Sequence, residues 1–343
     1  MRWSANNPIQ PNGLVVIAGF FMVFQSHCAP LNQYRAERHV ATGRIKLASD
    51  DLNDALLEFQ KAIELNPQLA DAHSGLGNLY RRMGDYDQAI DSYQQAIRFN
   101  PFSFVDAVNL AQVYQFTERM VEAIRAYLHA CELRPADFDV QLSLGVCYQH
   151  TGDTLQAVER FQRAIEIDPD RPQAHVNLAV ALDAQGKYYE AIRAYKEALE
   201  RDNRQPQVLV NLAKTYMNQD RLKLARHTLM EAVDLDPTLA AAHEALGYCL
   251  FRSRDFGAAE RRYLRALECD RRLPNSQAGL GSIYMLRYLE DESQAQYRER
   301  ALEHWHRSLE LQPDQPRIRK LIARYSNRGT EPDSSLLDDQ PRP

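Results

Sequence analysis

Histidines are the first side chains in this sequence that could do chemistry, because imidazole is a common metal ligand. Four of them recur at one fixed interval or at whole multiples of it: His39, His73, His175 and His243. The ligands of one metal ion must all lie ~2 Å from it. Equivalent positions in a repeated helical structure lie at least one helix apart, and packed helices are ~8 to 10 Å apart. The spacing therefore favours a packing role for these histidines and predicts no metal site.

The cysteines show a similar pattern. No two of them have the CxxC spacing of a zinc or redox site. Cys147 and Cys249 are separated by a whole multiple of the interval found for the histidines, which favours buried thiols at one repeated position. Cys131 and Cys269 also lie in helical segments and are interpreted in the same way. A disulfide between Cys131 and Cys147 is the alternative if the protein is exported.

Catalytic motifs are the next class to consider. The chain has no phosphate-binding glycine loop, no HExxH zinc motif and no GxSxG nucleophile motif. Its many carboxylates fall on polar faces of amphipathic segments. We therefore expect a protein that is not an enzyme and that needs no cofactor, with an enzyme lacking any recognisable signature as the alternative.

A strict period organises most of the chain. Segments such as GDYDQAIDSYQQAIRFNP, residues 84–101, each indicate an amphipathic helix that a proline ends. These prolines are equally spaced at Pro67, Pro101, Pro135, Pro169 and, two periods later, Pro237. With the proline taken as position 32, the repeats are residues 36–69, 70–103, 104–137, 138–171, 172–205, 206–239, 240–273 and an eighth from Pro274 to Pro313. Asn203 occupies the proline position of the fifth repeat without breaking the period.

Small and bulky residues recur at fixed positions of this repeat. Position 8 is always Gly or Ala, as in Gly77 and Ala111, and positions 20 and 27 are Ala, with Ser308 the exception. Position 24 is bulky: Phe59, Tyr93, Tyr127, Phe161, Tyr195, Leu229, Tyr263 and Trp305. Two helices can approach closely at the small positions while the bulky side chain fills the groove beside them.

This pattern resembles the tetratricopeptide repeat family, on the strength of Leu-Gly at positions 7 and 8 in GLGNLY and SLGVCY, Ala at 20 and 27, and Pro at 32. The resemblance covers residues 36–313. It implies an all-α, right-handed superhelical solenoid of eight helix-turn-helix repeats, in which the first helix of each repeat lines a concave surface. The family's repeat of about 34 residues has the same length as the period of this chain. One hairpin cannot bury its own apolar face, so copies stack and share a core.

The ends of the array differ from the repeats. The eighth repeat carries an insertion, since its position-20 alanine is Ala301, whereas the uninterrupted register would place that position at Ser293. After it, residues 314–326 place Ile318, Leu321, Ile322 and Tyr325 on one helical face, which predicts a capping helix. A basic helix that binds a partner is the alternative, through Arg317, Arg319, Lys320 and Arg324. Residues 327–343 are acidic and polar, and a disordered tail is predicted there.

Residues 1–35 are predicted to be a targeting or anchor segment with a linker. The apolar run from Leu14 to Phe24 suits a signal-peptide core but is shorter than the ~20 residues that span a bilayer. QSHC resembles a lipobox with Cys28 as the lipidated residue, although Gln25 and His27 depart from that pattern. We expect a membrane-associated or exported protein, in the envelope or periplasm, attached through residues 14–24; a cytoplasmic protein is the alternative.

The first helices carry a possible ligand surface. Asn109, Asn177 and Asn211 share position 6, and an amide offers a donor and an acceptor to a peptide backbone. This row is similar to the asparagine ladder in the repeats of O-linked N-acetylglucosamine transferases, whose catalytic activity is not expected here. The alternative is that these asparagines are only solvated surface residues.

A second binding mode of the family, the clamp for terminal carboxylates, is not expected. Asn78 and Asn109 match its two asparagines. Its basic positions hold Val40, Ser74 and Val108, together with Asp139 and Ser143. Without a cation at those positions a terminal carboxylate has little reason to bind.

The expected surface changes character along the array, from a basic end with Arg44, Arg81 and Arg82 through a polar middle to an apolar end. This change suggests one elongated ligand anchored at the apolar end. Its candidate residues are Asn78, Arg81, Arg82, Asn109, Gln112, Asn177, Asn211, Lys214, Tyr248, Phe251 and Met285. The alternative for Tyr248 and Phe251 is packing between repeats seven and eight.

Charge narrows the class of partner. The formal net charge is -5 and the pI is near 6.1, which argues against nucleic acid as the partner. The resemblance implies a non-catalytic scaffold that binds a protein or an extended peptide. The alternatives are an envelope lipoprotein that assists assembly of a secretion or pilus complex, and, from other classes, an enzyme or an RNA-binding solenoid.

Overall fold

The computed structural model describes residues 14–326, and the side chains of residues 30–326. All regular secondary structure within that range is α-helical. The chain forms two compact units, one ending at Asp153 and the other beginning at Thr154, and each is described separately.

The first unit contains seven helices within its described residues. They are α1 (Leu14–Ala48), α2 (Leu52–Leu65), α3 (Ala70–Met83), α4 (Tyr86–Phe99), α5 (Phe104–Phe116), α6 (Met120–Leu133) and α7 (Phe138–His150). Three hairpins are formed, by α1 with α2, α3 with α4 and α5 with α6, and each packs on the next helix of the chain. The core of this unit consists of two clusters of buried apolar side chains, one from Ala36 to Leu79 and one from Ala89 to Cys147.

The second unit contains ten helices within its described residues. They are α8 (Thr154–Ile167), α9 (Pro172–Ala184), α10 (Tyr188–Arg201), α11 (Pro206–Asn218), α12 (Leu222–Leu235), α13 (Ala240–Arg252), α14 (Phe256–Cys269), α15 (Pro274–Glu290), α16 (Ala295–Leu311) and α17 (Pro316–Ser326). Hairpins are formed by α9 with α10, α11 with α12, α13 with α14 and α15 with α16.

The helices follow the period of the sequence. From the second repeat onward, each first helix begins at the residue that opens its repeat in the proline-based register: Ala70, Phe104, Phe138, Pro172, Pro206, Ala240 and Pro274. The predicted all-α class built from repeated helix pairs is confirmed.

Two kinds of turn repeat with the helices. At position 31 an Asn or Asp side chain accepts a hydrogen bond from the backbone N–H two residues later, as Asn100 does from Phe102 and Asp236 from Thr238. This Asx turn leads the chain across the proline. At position 15, just after each first helix, the backbone adopts a left-handed conformation at Asp50, Gly84, Glu118, Gly152, Gly186, Asp220 and Arg254. That conformation ends a helix and turns the chain back on itself.

The aromatic residue at position 24 lies between two first helices, as the small-residue pattern predicted. Tyr263 packs against Gly247 of its own repeat and Gly279 of the next. A Cβ added to Gly247 would lie 2.8 Å from the Tyr263 ring, and one added to Gly279 would lie 2.5 Å from it. A larger residue at either position would therefore force the ring to move.

The inserted residues of the eighth repeat lengthen its helices. α15 and α16 each have 17 residues, against 13 or 14 in the other helices of the second unit's hairpins. α17 then packs on α16, with Ile318, Leu321 and Tyr325 buried. Arg298 of α16 donates hydrogen bonds to the last carbonyls of α17, those of Tyr325 and Ser326. The helix thus covers the end of the hairpin with its apolar face.

The N-terminal segment and the first repeat share one helix. α1 runs from Leu14 to Ala48 with Pro30 inside it, so no break occurs at the expected boundary after residue 35. The side chains of residues 14–29, including Cys28, lie outside the described residues, and so do the predicted tail and residues 1–13. Among the helices that are described, none has both the length and the apolar character needed to cross a bilayer. Membrane attachment and lipidation stay predictions.

Candidate peptide-binding face

Neighbouring first helices pack side by side within each unit. α1 contacts α3 in the first unit, and α9, α11, α13 and α15 contact in sequence in the second. We call the side chains at positions 2, 5, 6, 9, 12 and 13 of these helices the first-helix face. Since consecutive repeats contribute to it at regular intervals, it is suited to a ligand that runs across several helices.

Arg81 is the centre of the first-helix face in repeats two and three. Its Nη1 donates to Asn109 Oδ1 over 3.5 Å and to Gln112 Oε1 over 3.3 Å. Arg81 and Gln112 are exposed and Asn109 is half-buried. The three side chains connect α3 to α5, so the structure brings together three residues that the sequence had nominated separately.

Asn78 lies on α3 beside this group, and a buried tyrosine fixes the orientation of its side chain. The hydroxyl of Tyr93, on the second helix of the same repeat, donates to Asn78 Oδ1 over 2.8 Å. Tyr93 is fully buried, and burial raises its pKa to about 12. The hydroxyl therefore remains a donor throughout the physiological pH range, and Asn78 keeps one orientation.

The other two candidate arginines are already paired. Arg44 Nη2 lies 3.0 Å from Asp71 Oδ1, and Arg82 Nη2 lies 3.0 Å from Asp50 Oδ1. Arg82 also donates through Nη1 to the carbonyl of Leu47 over 2.7 Å. The predicted basic end of the face is therefore largely neutralised, apart from Arg81.

Sequence reasoning missed two carboxylates of the first-helix region. Asp106 is 5% exposed and accepts hydrogen bonds from the hydroxyls of Ser74, at 2.5 Å, and Ser103, at 2.6 Å. Glu244 accepts from the Ser276 backbone N–H and hydroxyl at the start of α15. Both carboxylates join one repeat to the next. The sequence contains no local signal for such bonds, because their partners lie about 32 residues away.

In the second unit the polar candidates are half-buried. Asn177, Asn211 and Lys214 lie on α9 and α11, and Asn211 Oδ1 accepts a long hydrogen bond of 3.5 Å from Gln207. Asp183, at position 12 of α9, is a residue that sequence reasoning missed. Its Oδ1 is buried with no partner among the described residues, and burial raises the pKa of this carboxyl, with the Thr215 hydroxyl acting in the opposite direction.

The apolar candidates lie inside the second unit. Tyr248 is 4% exposed, Phe251 1% and Met285 0%. Phe251 packs edge-on against Phe256, and Arg252 donates to the Tyr248 hydroxyl over 3.3 Å. Their side chains therefore fill the space between α13, α14 and α15, which is the packing role given above as the alternative. They offer little surface to a ligand.

Three of the four histidines at position 4 hold the proline turns, whereas the fourth, His39, hydrogen-bonds to Glu58 through Nδ1. Nε2 of His73, His175 and His243 donates to the carbonyl of Pro67, Pro169 and Pro237 at 2.9, 3.0 and 3.1 Å. Gln141, at the same position of repeat four, donates to the Pro135 carbonyl over 3.2 Å. Within the part of the chain that the structure describes, no group of three or more potential ligands could hold a metal ion.

The burial of one of these histidines, His243, makes the stability of the second unit depend on pH. Burial lowers the pKa of His243 below its ordinary value of 6.5, with Arg262 and Arg265 acting in the same direction and Asp236 and the Pro237 carbonyl opposing them. The unfolded chain then binds a proton that folded His243 does not, so stability is present above 6.5 and is lost as the pH falls below it.

We expect His243→Gln to reduce this loss, because glutamine keeps the bond to the proline carbonyl, as Gln141 shows, and does not titrate. The free energy of unfolding, measured by urea denaturation at about pH 7.5 and about pH 5, should change less in the variant. His227→Gln, at an exposed histidine of α12, is the control. An equal pH dependence in wild type and His243→Gln would contradict the expectation.

Two of the cysteines are buried thiols. Burial raises the pKa of Cys147 and of Cys249 to about 11, so both stay protonated and unreactive near neutral pH. Cys147 is a free thiol, so the structure contains no Cys131–Cys147 disulfide.

Comparison with known families decides the assignment. A family model described as the C-terminal domain of cilia and flagella-associated protein 70, a TPR domain, matches residues 69–279, and one described as a TPR repeat matches residues 43–84. The chain belongs to the tetratricopeptide repeat family. No curated protein matches it significantly.

Solved structures agree on the fold. A tetratricopeptide repeat protein from Parabacteroides merdae ATCC 43184 has a TM-score of 0.60 at 15% identity, covering 75% of this chain and 99% of its own. The Cut9–Hcn1 hetero-tetramer of the APC/C has a TM-score of 0.56 at 15% identity, covering 84% of this chain and 55% of its own. PilF from Pseudomonas aeruginosa has a TM-score of 0.48 at 21% identity, covering 62% and 97%. At these identities the first two likenesses concern the fold alone, and the third carries no argument.

Arrays of this family are in general non-catalytic scaffolds for protein interactions, and their stacked helices provide the binding surface. The partner of this tetratricopeptide protein has to be argued from its own side chains.

Proposed function

We propose that this tetratricopeptide protein is a non-catalytic scaffold that binds an extended segment of a protein partner on its first-helix face. The observation that carries the proposal is the set of amide and cationic side chains that neighbouring first helices present within each unit. Arg81, Asn109 and Gln112 belong to the first unit, and Asn177, Asn211 and Lys214 to the second.

Their chemistry suits a peptide backbone. An extended peptide presents N–H donors and C=O acceptors at regular intervals, and each amide side chain can satisfy one of each. Asn177 and Lys214 make no side-chain hydrogen bond within the described part of the chain, so their groups are available. Since backbone contacts carry no sequence requirement, specificity must come from other side chains of the face.

A display experiment tests the proposal. The full chain is immobilised and used to select binders from a library of random peptides. Each peptide is fused at both of its ends to the display protein, so that it presents no free terminus. Dissociation constants of the selected peptides are then measured for wild type and for Asn109→Ala/Asn177→Ala/Asn211→Ala. Removing up to three neutral hydrogen bonds of ~0.5 to 1.5 kcal/mol each should weaken binding by about tenfold or more.

The matched control is Gln60→Ala/Gln162→Ala/Gln296→Ala, which removes three exposed amides from second helices. It should bind like wild type, and circular dichroism should show that both triple variants remain helical. Failure to select any peptide, or equal weakening by both triple variants, would reject the proposal.

A further inference from the structure

We propose that the first-helix face of repeats two and three binds a carboxylate side chain, so that the bound segment carries Asp or Glu at this point. The site consists of Arg81, Asn78, Asn109 and Gln112. The inference deepens the proposed function and rests on it.

All three amide oxygens of this site already accept hydrogen bonds from the chain itself. Asn109 Oδ1 and Gln112 Oε1 both accept from Arg81, and Asn78 Oδ1 accepts from the Tyr93 hydroxyl. Each amide has its oxygen turned toward a donor of this chain, so each directs its NH2 group elsewhere. The groups left for a ligand are therefore N–H donors, and a ligand atom that fits them must be an acceptor.

Arg81 gives this site a positive charge. Arg81 makes no ion pair with a carboxylate of the described residues, whereas Arg44 and Arg82 pair with Asp71 and Asp50. The hydrogen bonds of Arg81 use Nη1 alone and are long, at 3.3 and 3.5 Å. Its guanidinium keeps donors that can form the two parallel hydrogen bonds typical of an arginine–carboxylate pair.

The carboxylates of Asp71 on α3 and Asp106 on α5 are already engaged within the described part of the chain. Asp106 is buried on α5, three residues before Asn109, and each of its two carboxylate oxygens accepts a hydrogen bond from a serine hydroxyl. Asp71 is held by Arg44. The donor group on α3 and α5 is therefore available to an acid from outside.

The single positive charge of the site suits a carboxylate better than a phosphate group. One guanidinium and three neutral amides match a single negative charge, whereas a phosphate group usually requires a cluster of cations. The cation lies at position 12, and the positions that hold cations in the family's clamp for terminal carboxylates lack them. An acidic side chain within a segment therefore fits better than a chain terminus.

Selection from the doubly fused library provides the first test. Peptides selected on the wild-type full chain should be enriched in Asp or Glu at one position, and this enrichment should be lost on Arg81→Gln. The control Arg98→Gln removes an exposed arginine from α4 of the same repeat and should keep the enrichment. Selected peptides without an acidic position, or the same enrichment on Arg81→Gln, would overturn the inference.

Binding constants give the second test, with a selected peptide that is amidated at its C-terminus and a version with Gln in place of its acid. Arg81→Gln should weaken the acidic peptide by about tenfold and leave the Gln peptide nearly unchanged. In the double-mutant cycle the two changes together should cost no more than either alone. Equal weakening of both peptides would assign Arg81 a merely structural role and overturn the inference.

The two proposals fail in different ways. If peptides are selected and depend on Asn177 and Asn211 but carry no acid, the scaffold function holds and the carboxylate site is wrong. If no peptide is selected, both are wrong.

Discussion

Replacing Trp305 with alanine is expected to lower the free energy of unfolding by about 3 to 5 kcal/mol. Trp305 occupies position 24 of the eighth repeat and is completely buried. Its indole packs so closely on Gly281 that no Cβ would fit there, and its Nε1 donates to the Ala278 carbonyl over 3.3 Å. Tyr325 of α17 lies against it, with ring centroids 6.2 Å apart. The truncation would therefore leave a cavity shared by α15, α16 and α17.

The loss should be local, because each repeat contacts only its neighbours and a terminal repeat can open while the others stay folded. Hydrogen exchange measured by mass spectrometry should rise in α15, α16 and α17 and change little in α9 to α12. His306→Ala, at an exposed position of the same helix, should leave exchange unchanged. Unaltered protection of α17 in Trp305→Ala would show that the cap does not depend on this side chain.

Replacing Ala164 with phenylalanine is expected to destabilise the second unit by about 1 to 3 kcal/mol. Ala164 lies at position 27 on α8 and has no exposed surface. α8 packs against α9, and a ring at this position would push the two helices apart. Thermal unfolding followed by circular dichroism should show a lower midpoint.

Gln162→Phe is the control for this change, because it introduces the same ring two residues earlier at an exposed site of α8. Its midpoint should stay close to that of wild type. Equal midpoints for Ala164→Phe and Gln162→Phe would mean that the small positions have been placed in the wrong register.

Local signals in the sequence were sufficient to predict the helices. Proline at position 32, an Asn or Asp before it and a small residue at position 8 each act within one hairpin, and they recur in almost every repeat. The first helices accordingly begin at the residues that the register predicts, from Ala70 to Pro274. Repetition also indicated stacking, since one hairpin alone cannot bury its apolar face.

Hydrogen bonds across the first-helix face could not be predicted in the same way. Arg81 and Gln112 are 31 residues apart, and nothing in the sequence near either one shows that they meet. The sequence gives no reason to prefer one of Arg44, Arg81 and Arg82 as a ligand-binding residue. In the structure the first and the last pair with carboxylates, and only Arg81 hydrogen-bonds to the side-chain amides of the next repeat. The difference depends on which side chains the neighbouring helix presents.

Sequence by itself determined the family, the period and the positions of the helices, because those follow from propensity, turn chemistry and side-chain size within each repeat. Only the tertiary structure decided which polar groups on the first helices remain available and that Tyr248, Phe251 and Met285 are buried. Availability and burial are properties of contacts between repeats, and such contacts depend on how one hairpin packs on the next.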